Sequence, residues 1–187
     1  MSQIPLFISS QDLKEMTILN GSVDPDLFMQ YIEIAQEMHI RNYLGANLYN
    51  RLQQGILAIK LGDTPNELTT EERLLIDDYI QPSLIHFAAA EYLPFASYQI
   101  RNGGVFKHNA DDAVVVPIDE IRSLARKETS FAEYYAKLMV KFLCDNNRDY
   151  PEYSESPNEI SPDKRVDNTL GIYLGKSINS NYKKNSY

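Results

Sequence analysis

The chain has few of the residues on which several classes of protein depend. Cys144 is the single cysteine among 187 residues, so no disulfide can form within the chain, as is usual in a reducing compartment. No stretch approaches the roughly 18 uninterrupted apolar residues that span a bilayer, so we expect no membrane partner. The first residues show no basic segment followed by an apolar one, and we therefore expect no signal peptide.

Positive charge is scarce and unevenly distributed. The chain has 18 Lys and Arg against 26 Asp and Glu, a net charge of −8. Because phosphate binding needs clustered Lys and Arg, we expect no nonspecific binding of nucleic acid by the body of the protein. From residue 164 onward, five basic residues against one acidic residue give +4, which leaves −12 on the first 163 residues. The five are Lys164, Arg165, Lys176, Lys183 and Lys184. This end either seeks an acidic surface on a neighbour or is merely kept soluble by its lysines.

Recognisable catalytic and metal-binding motifs are missing as well. The three histidines His39, His86 and His108 are far apart, and none has a spacing such as His-Glu-x-x-His. Neither a Gly-x-Ser-x-Gly elbow nor a phosphate-binding glycine loop is present. We predict no catalytic residue, no cofactor and no metal, and hence a protein that is not an enzyme. We expect His39 to be solvated, His86 to be hydrogen-bonded in the core and Cys144 to be a small buried residue.

Capping residues and apolar periodicity predict a mainly α-helical domain over residues 1–149. Thr69 and Glu72 have the spacing of a capping box at a helix start. Gly45 lets the chain turn between two helices. The stretch 84–93 is apolar nearly all round, and such a helix is normally surrounded by others. The predicted fold class is therefore mainly α, a helical bundle with this stretch at its centre.

Two of the predicted helices have apolar faces that we expect to be buried. One of these helices starts at Asp24-Pro25, and its apolar face consists of Phe28, Tyr31, Ile32, Ala35 and Met38. The second is a long C-terminal helix from Ile118 to about Asn147, about 45 Å in length at a rise of 1.5 Å per residue. Its predicted buried residues are Ile121, Leu124, Ala125, Phe131, Tyr135, Leu138 and Phe142.

Two segments depart from the helical pattern. Asn102-Gly103 lies between short flanks, a strong hairpin signal, so we predict a small β-hairpin insertion with its loop over about residues 99–117. Residues 150–187 are rich in proline and polar residues and cannot bury enough surface to fold alone, which predicts an extended C-terminal arm. We expect the helical body to fold without this arm. Its short alternating stretch, 170–174, is suited to adding a strand to a partner's sheet.

Three stretches, taken in order, resemble a known family. They are Tyr31-Ile32-x-x-Ala35 with Ile40-x-x-Tyr43-Leu44-Gly45-x-x-Leu48-Tyr49-x-x-Leu52, then Arg101-Asn102-Gly103-Gly104-Val105, and last Phe131-Ala132-Glu133-Tyr134-Tyr135-Ala136-x-Leu138 with Lys141-Phe142-Leu143 and Pro151-Glu152-Tyr153. In this order they resemble the head–tail connector, or adaptor, proteins of tailed bacteriophages, particularly those of gut Bacteroides-type hosts. These motifs are helix-packing patterns, and the resemblance covers residues 25–155.

The resemblance implies a virion structural protein that is assembled in the host cytoplasm. It would form a homo-oligomeric ring in the virion neck, typically of about twelve copies, docked beneath the portal protein. Other neck and tail proteins would attach below, and DNA would pass through the lumen without specific binding. The residues expected at partner interfaces are Arg101, Asn102, Gly103, Gly104, Leu170, Ile172, Tyr173, Leu174, Lys183 and Lys184. The alternatives are a cytoplasmic helical module that binds or regulates a partner, and a small enzyme with scattered acidic residues.

Overall fold

The computed structural model describes residues 4–19, 26–96, 98–101, 104–107, 117–154 and 159–164. The helices are α1 (Ser10–Met16), α2 (Asp26–Ala35), α3 (Arg41–Leu61), α4 (Thr70–Leu75), α5 (Gln81–Tyr92) and α6 (Ile118–Asp145). Two short strands, β1 (Tyr98–Arg101) and β2 (Gly104–Lys107), precede α6. Within the described residues the protein is mainly helical, which confirms the predicted class.

Two pairs of helices are joined by a π-helical turn instead of a loop. Gln36–Ile40 connects α2 to α3, and Ile76–Ile80 connects α4 to α5. A π turn inserts extra chain into a helix and so rotates the residues that follow around the helix axis. Within the first π turn, Gln36 and Ile40 are buried. Met38, which we predicted to be buried, is 55% exposed. The prediction for Met38 was wrong because it assumed an uninterrupted α-helical period.

The predicted capping box is confirmed at the start of α4. The Thr69 hydroxyl accepts from the Glu72 N–H at 3.2 Å, and the Glu72 carboxylate accepts from the Thr69 N–H at 2.8 Å. Arg51 on α3 binds the same carboxylate through two nitrogens, each 2.8 Å from an oxygen. Because this bidentate pair joins the start of α4 to α3, it fixes how the chain passes from one helix to the next.

The helix α3 is broken at Gly45, where φ is +74° and ψ is 164°. Only glycine adopts this backbone conformation readily. The break frees two main-chain groups: the Ala46 N–H donates to the carbonyl of Ile160 at 2.8 Å, and the Asn42 carbonyl accepts from the Asp163 N–H at 2.8 Å. Residues 159–164 are therefore held against the helical body by main-chain hydrogen bonds.

The edge of the packed body differs from the boundary predicted at residue 149. Tyr150 and Tyr153 are buried in the same core as the helices, and the Tyr150 hydroxyl donates to the carbonyl of Glu71 at 2.8 Å. Together with residues 159–164, these contacts attach the first part of the predicted arm to the body. The two tyrosine side chains can be buried against a surface that the helices have already formed. The average composition of residues 150–187 does not indicate this, because it is dominated by polar residues and proline. Residues 165–187 lie outside the described part of the chain.

The helix α5 lies at the centre of the bundle, as its uniformly apolar sequence predicts. Its buried apolar residues include Leu84, Ile85, Phe87, Ala88 and Ala89. On one side α2 packs against it, with 4.9 Å between the ring centroids of Phe28 and Tyr92. On another side α6 packs against it, where the Ser83 hydroxyl donates to the carbonyl of Ala132 at 3.1 Å. Tyr92 and Ser83 are nine residues apart, or about two and a half helical turns, so α2 and α6 lie on different sides of α5.

The buried face of α6 agrees with the predicted one only in part: Ile121 is buried as predicted, and Ala125 and Phe142 pack against the core. Its buried residues are Ile121, Glu128, Ala132, Ala136, Met139, Val140 and Leu143. Leu124, Phe131 and Leu138, which we predicted to be buried, are exposed. Ala132 and Ala136 lie one turn apart with no exposed surface, so the backbones of α5 and α6 approach closely there. Met139 and Leu143 are buried on the same face, whereas Leu124, Phe131 and Leu138 lie at its edge and are 40% exposed.

The two strands form an antiparallel pair within the segment that joins the bundle to α6. Tyr98 lies opposite Lys107, and Arg101 lies opposite Gly104. Residues 108–116, the rest of the predicted insertion, are outside the described residues.

Candidate interaction surfaces

The two described histidines are both bonded to glutamates across helix contacts. Nδ1 of His86 lies 2.6 Å from Oε2 of Glu128, and both side chains are largely buried, as predicted for His86. His39 differs from the prediction of a solvated side chain. It stacks on Phe87 with 4.1 Å between ring centroids, and Nε2 lies 2.9 Å from Oε1 of Glu91. His39 thus joins the first π turn to α5 with its side chain 28% exposed, which its position in the sequence did not indicate.

The other candidate chemical groups give no assembled centre in the described part of the chain. Cys144, which we expected to be buried, is exposed on the last turn of α6. Among the described residues, no three or more His, Cys, Asp or Glu side chains come together in a way that could hold a metal ion. No described helix has both the length and the apolar character required to cross a membrane.

The outer face of α6 has a continuous row of exposed apolar side chains, which we call the α6 stripe. It consists of Leu124, Phe131, Tyr134 and Leu138, spaced by seven, three and four residues, so that all four share one helical face. Three of them are 40% exposed and Tyr134 is 59% exposed. Lys127 and Lys141 extend the same face, and Nζ of Lys127 lies 4.8 Å from the ring centroid of Phe131.

A second exposed apolar row lies on the outer face of α2 and the turn after it. This α2 stripe consists of Leu27, Ile34 and Met38, which are 51%, 40% and 55% exposed. Leu27 and Ile34 are seven residues apart and share one side of α2, away from the buried Phe28 and Ile32, and Met38 is exposed on the π turn that follows. Residues 26–40 contain three acidic side chains and neither Lys nor Arg. The surroundings of the α2 stripe are therefore acidic.

The two stripes lie on different faces of the protein, since α2 and α6 pack on different sides of α5. One stripe thus cannot cover the other within the same chain. The other large exposed apolar side chains of the described residues occur in smaller groups, such as Leu57 and Leu61 on α3. Exposed apolar patches rimmed by polar residues mark sites of protein association. The two stripes are therefore two candidate contact surfaces among the described residues.

An open groove with a volume of about 730 Å³ lies beside α2 and is bordered by the N-terminal segment. Its lining includes Ile4, Phe7, Met29, Asp12, Glu33 and Lys60. Gln36, fully buried, holds the N-terminal wall in place. Its Nε2 donates to the carbonyl of Pro5 at 3.0 Å, and its Oε1 accepts from the Phe7 N–H at 2.9 Å. The groove is therefore a fixed part of the fold.

Tyr49 completes the hydrogen-bond network around Gln36. Its hydroxyl oxygen accepts from Nε2 of Gln36 at 3.1 Å, and its O–H donates to the carboxylate of Glu37. Burial, followed by the bond to Glu37, raises the pKa of the Tyr49 hydroxyl well above its usual range. Arg41 binds the same carboxylate at 2.9 Å. The network fixes the first π turn, from which Met38 points outward.

The structure brings together two of the residues predicted at partner interfaces, Arg101 and Gly104, which pair across the hairpin. The others lie outside the described residues; they are Asn102, Gly103, Leu170, Ile172, Tyr173, Leu174, Lys183 and Lys184. Sequence reasoning missed both stripes. A signal was present, because α2 and α6 carry more apolar residues than one buried face accommodates. Leu27 and Ile34, for example, fall outside the face predicted for α2.

Residues 40–162 match the model of a family of unknown function, DUF6712. The chain belongs to this family. The matched region contains the α6 stripe, Gly45 and the segment that packs against it, whereas the α2 stripe lies just before it. No significant match was found among curated proteins or among solved structures.

Proposed function

We propose that this protein is a virion structural protein, a subunit of a head–tail connector ring that docks to the portal in the virion neck. The observation that carries the proposal is the pair of exposed apolar stripes on different sides of α5. A chain that contacts identical neighbours through two different surfaces forms a closed ring when the rotation between copies closes. The sequence resemblance to connector proteins over residues 25–155 supports the same function.

The charge of the body suits the proposed passage of DNA. The first 163 residues carry a net charge of −12. A wall of this sign repels phosphate, so that DNA passes through the lumen without adhering to it. A ring of about twelve copies would have a strongly acidic surface. The lumen of such a ring would repel the DNA phosphates and so disfavour specific contacts with DNA.

The remaining segments are assigned to neighbours in this proposal. The hairpin around Arg101 and Gly104 belongs to an insertion at about 99–117 that contacts the portal or a tail protein. Residues 165–187 form an arm that holds an adjacent subunit, with 170–174 as the strand that it adds. Part of the predicted arm, up to residue 164, packs on the body and positions the start of this arm.

Electron microscopy tests the proposal directly. Purified protein is mixed with portal assemblies and imaged, and the neck of intact virions is reconstructed in parallel. We expect a ring of this subunit on the portal in both samples. Monomers in the absence of portal agree with the proposal, since such a ring can close on its template. A virion neck that contains no ring of this chain would refute it.

A second function, a cytoplasmic module that binds a partner peptide, is favoured by the groove beside α2. The groove combines apolar Phe7 and Met29 with acidic Asp12 and Glu33, a chemistry that suits a basic amphipathic peptide. Fractionation of infected or expressing cells separates the two functions. Recovery of the chain in purified particles supports the connector, whereas recovery only in the soluble cell fraction, bound to one partner, supports the module.

A further inference from the structure

We infer that the α6 stripe of one copy packs against the α2 stripe of the next copy in the ring. This inference rests on the proposed ring and names the two surfaces that meet in it. The occupant of each stripe is thus a second copy of this chain. Each copy uses both stripes, one toward each neighbour, so the contact is head-to-tail.

The dimensions of the two stripes are compatible. From Leu124 to Leu138 the α6 stripe is about 21 Å long, and from Leu27 to Met38 the α2 stripe is about 16 Å long, at 1.5 Å per residue. Each stripe lies beside the buried face of its helix, and the ring of Phe131 is 5.4 Å from that of His86 on α5, so both surfaces exist before association. Two helices that pack through such rows bury their apolar side chains without a rearrangement of the fold.

Charge determines which stripe meets which. Lys127 and Lys141 lie on the face of the α6 stripe, whereas residues 26–41, which carry the α2 stripe, have a net charge of −2 with Glu33 exposed and Glu37 already bonded to Arg41. Packing two α6 stripes together would place lysines opposite lysines, and packing two α2 stripes together would place carboxylates opposite carboxylates. The mixed contact places lysines opposite carboxylates and is the only one of the three with complementary charge. The pattern therefore favours a head-to-tail contact over a symmetric dimer.

Cysteine cross-linking of the full chain tests this contact. In a Cys144→Ser background, Ile34→Cys and Tyr134→Cys are introduced into the same chain. Ile34 lies near the middle of the α2 stripe, and Tyr134 is the most exposed residue of the α6 stripe, at 59%. The portal-bound protein is treated with a mild oxidant and separated on a denaturing gel without reductant. We expect a ladder of dimers, trimers and larger multimers that reverts to monomer on reduction.

Single-cysteine chains test the direction of the contact. A mixture of the I34C chain and the Y134C chain should stop at the dimer, and each chain alone should stay monomeric. As a matched control, Leu61→Cys replaces Ile34→Cys in the double variant; Leu61 is more exposed, at 74%, but lies outside both stripes. This control should give no ladder.

The outcomes separate this inference from the proposed function. Rings seen by microscopy together with an I34C/Y134C chain that stays monomeric would overturn the assigned contact and leave the connector function standing. Dimers formed by one single-cysteine chain alone would overturn the head-to-tail arrangement. A portal that binds no ring of any variant, the unmodified chain included, would overturn both the contact and the function.

Discussion

Gly45 is the residue at which the two ends of the family region meet. Its backbone conformation interrupts α3 and provides the hydrogen-bonding groups to which residues 159–164 attach. A Cβ atom on Gly45 would lie 2.6 Å from Cδ of Pro162, far inside van der Waals contact. Glycine is therefore required at this position for two independent reasons, the backbone angle and the space beside it.

The substitution Gly45→Ala should lower the free energy of unfolding by about 2–4 kcal/mol, from backbone strain and the clash with Pro162. Denaturant titration measures this loss. Gly62→Ala is the matched control: Gly62 also has a positive φ, of +69°, but a Cβ there meets no atom within 4 Å. The control should cost only about 1 kcal/mol. Equal losses in the two variants would mean that the contact with Pro162 is unimportant.

Tyr150 should make the protein sensitive to alkali. Burial, followed by the charge of Asp149, raises the pKa of the Tyr150 hydroxyl to about 12, whereas an unfolded tyrosine titrates at about 10. The folded state thus holds this proton more tightly. The stability that this provides is complete below about pH 10 and is lost as the pH rises through about 12.

In denaturant titrations at increasing pH, Tyr150→Phe should reduce the alkaline fall in the free energy of unfolding. It should also cost about 1 kcal/mol at neutral pH, because the bond to the Glu71 carbonyl is lost. Part of the fall should persist, since the pKa values of Tyr49 and Tyr153 are raised as well. Tyr134→Phe, at an exposed position, serves as the control and should leave the fall unchanged.

At the scale of elements, α6 has two apolar faces with different sizes of side chain. The face toward α5 carries Ala132 and Ala136, and the outer face carries the larger residues of the α6 stripe. Close approach of two helices requires small residues, whereas a surface that adds a partner later gains more from large ones. This division explains why Leu124, Phe131, Tyr134 and Leu138 remain exposed on a helix that packs closely against α5.

The substitution Ala132→Leu tests the close contact between α5 and α6. Overpacking at this fully buried position should lower the free energy of unfolding by about 1–3 kcal/mol. Ser123→Leu, an equally large side chain at an exposed position of the same helix, should change it by less than about 0.5 kcal/mol. Chemical denaturation of both variants gives the comparison. A tolerated A132L chain would show that the helices can separate at little cost.

At the scale of the whole molecule, the folded body extends past the last helix. Tyr150, Tyr153 and residues 159–164 complete a surface that the helices leave open. Truncation should reveal this. A chain that ends at Lys164 keeps every described contact of this region and should melt within about 2 °C of the full chain.

A chain that ends at Asp149 should melt lower by on the order of 10 °C, because two buried tyrosines and the main-chain bonds to α3 are lost. Differential scanning calorimetry measures both differences. If the chain ending at Asp149 melted like the full chain, the original expectation of a body that is complete at residue 149 would be right. The chain ending at Lys164 also tests the proposed arm, since it should fold normally and form rings less readily on the portal.

Some features of this protein are determined by the sequence itself. The helical class, the capping box at Thr69 and Glu72, and the central position of α5 all follow from signals within a few turns of chain. Such signals act locally: a cap bonds to residues three positions away, and a helix that is apolar all round has no face to show to water. His86 belongs to this group, because it lies in that central helix.

The tertiary structure alone decided which face of α2 and α6 is buried, and how far the body extends. The π turn rotates Met38 outward, and the close contact at Ala132 turns Phe131 and Leu138 away from the core. Each of these outcomes depends on the helix that packs alongside, which is distant in sequence. The spacing of apolar residues shows which faces of a helix could be buried. Which of these faces is buried depends on the space between that helix and its neighbours. Apolar residues left outside the contacts between the helices form the two stripes, which remain exposed for contact with the adjacent subunits of the proposed ring.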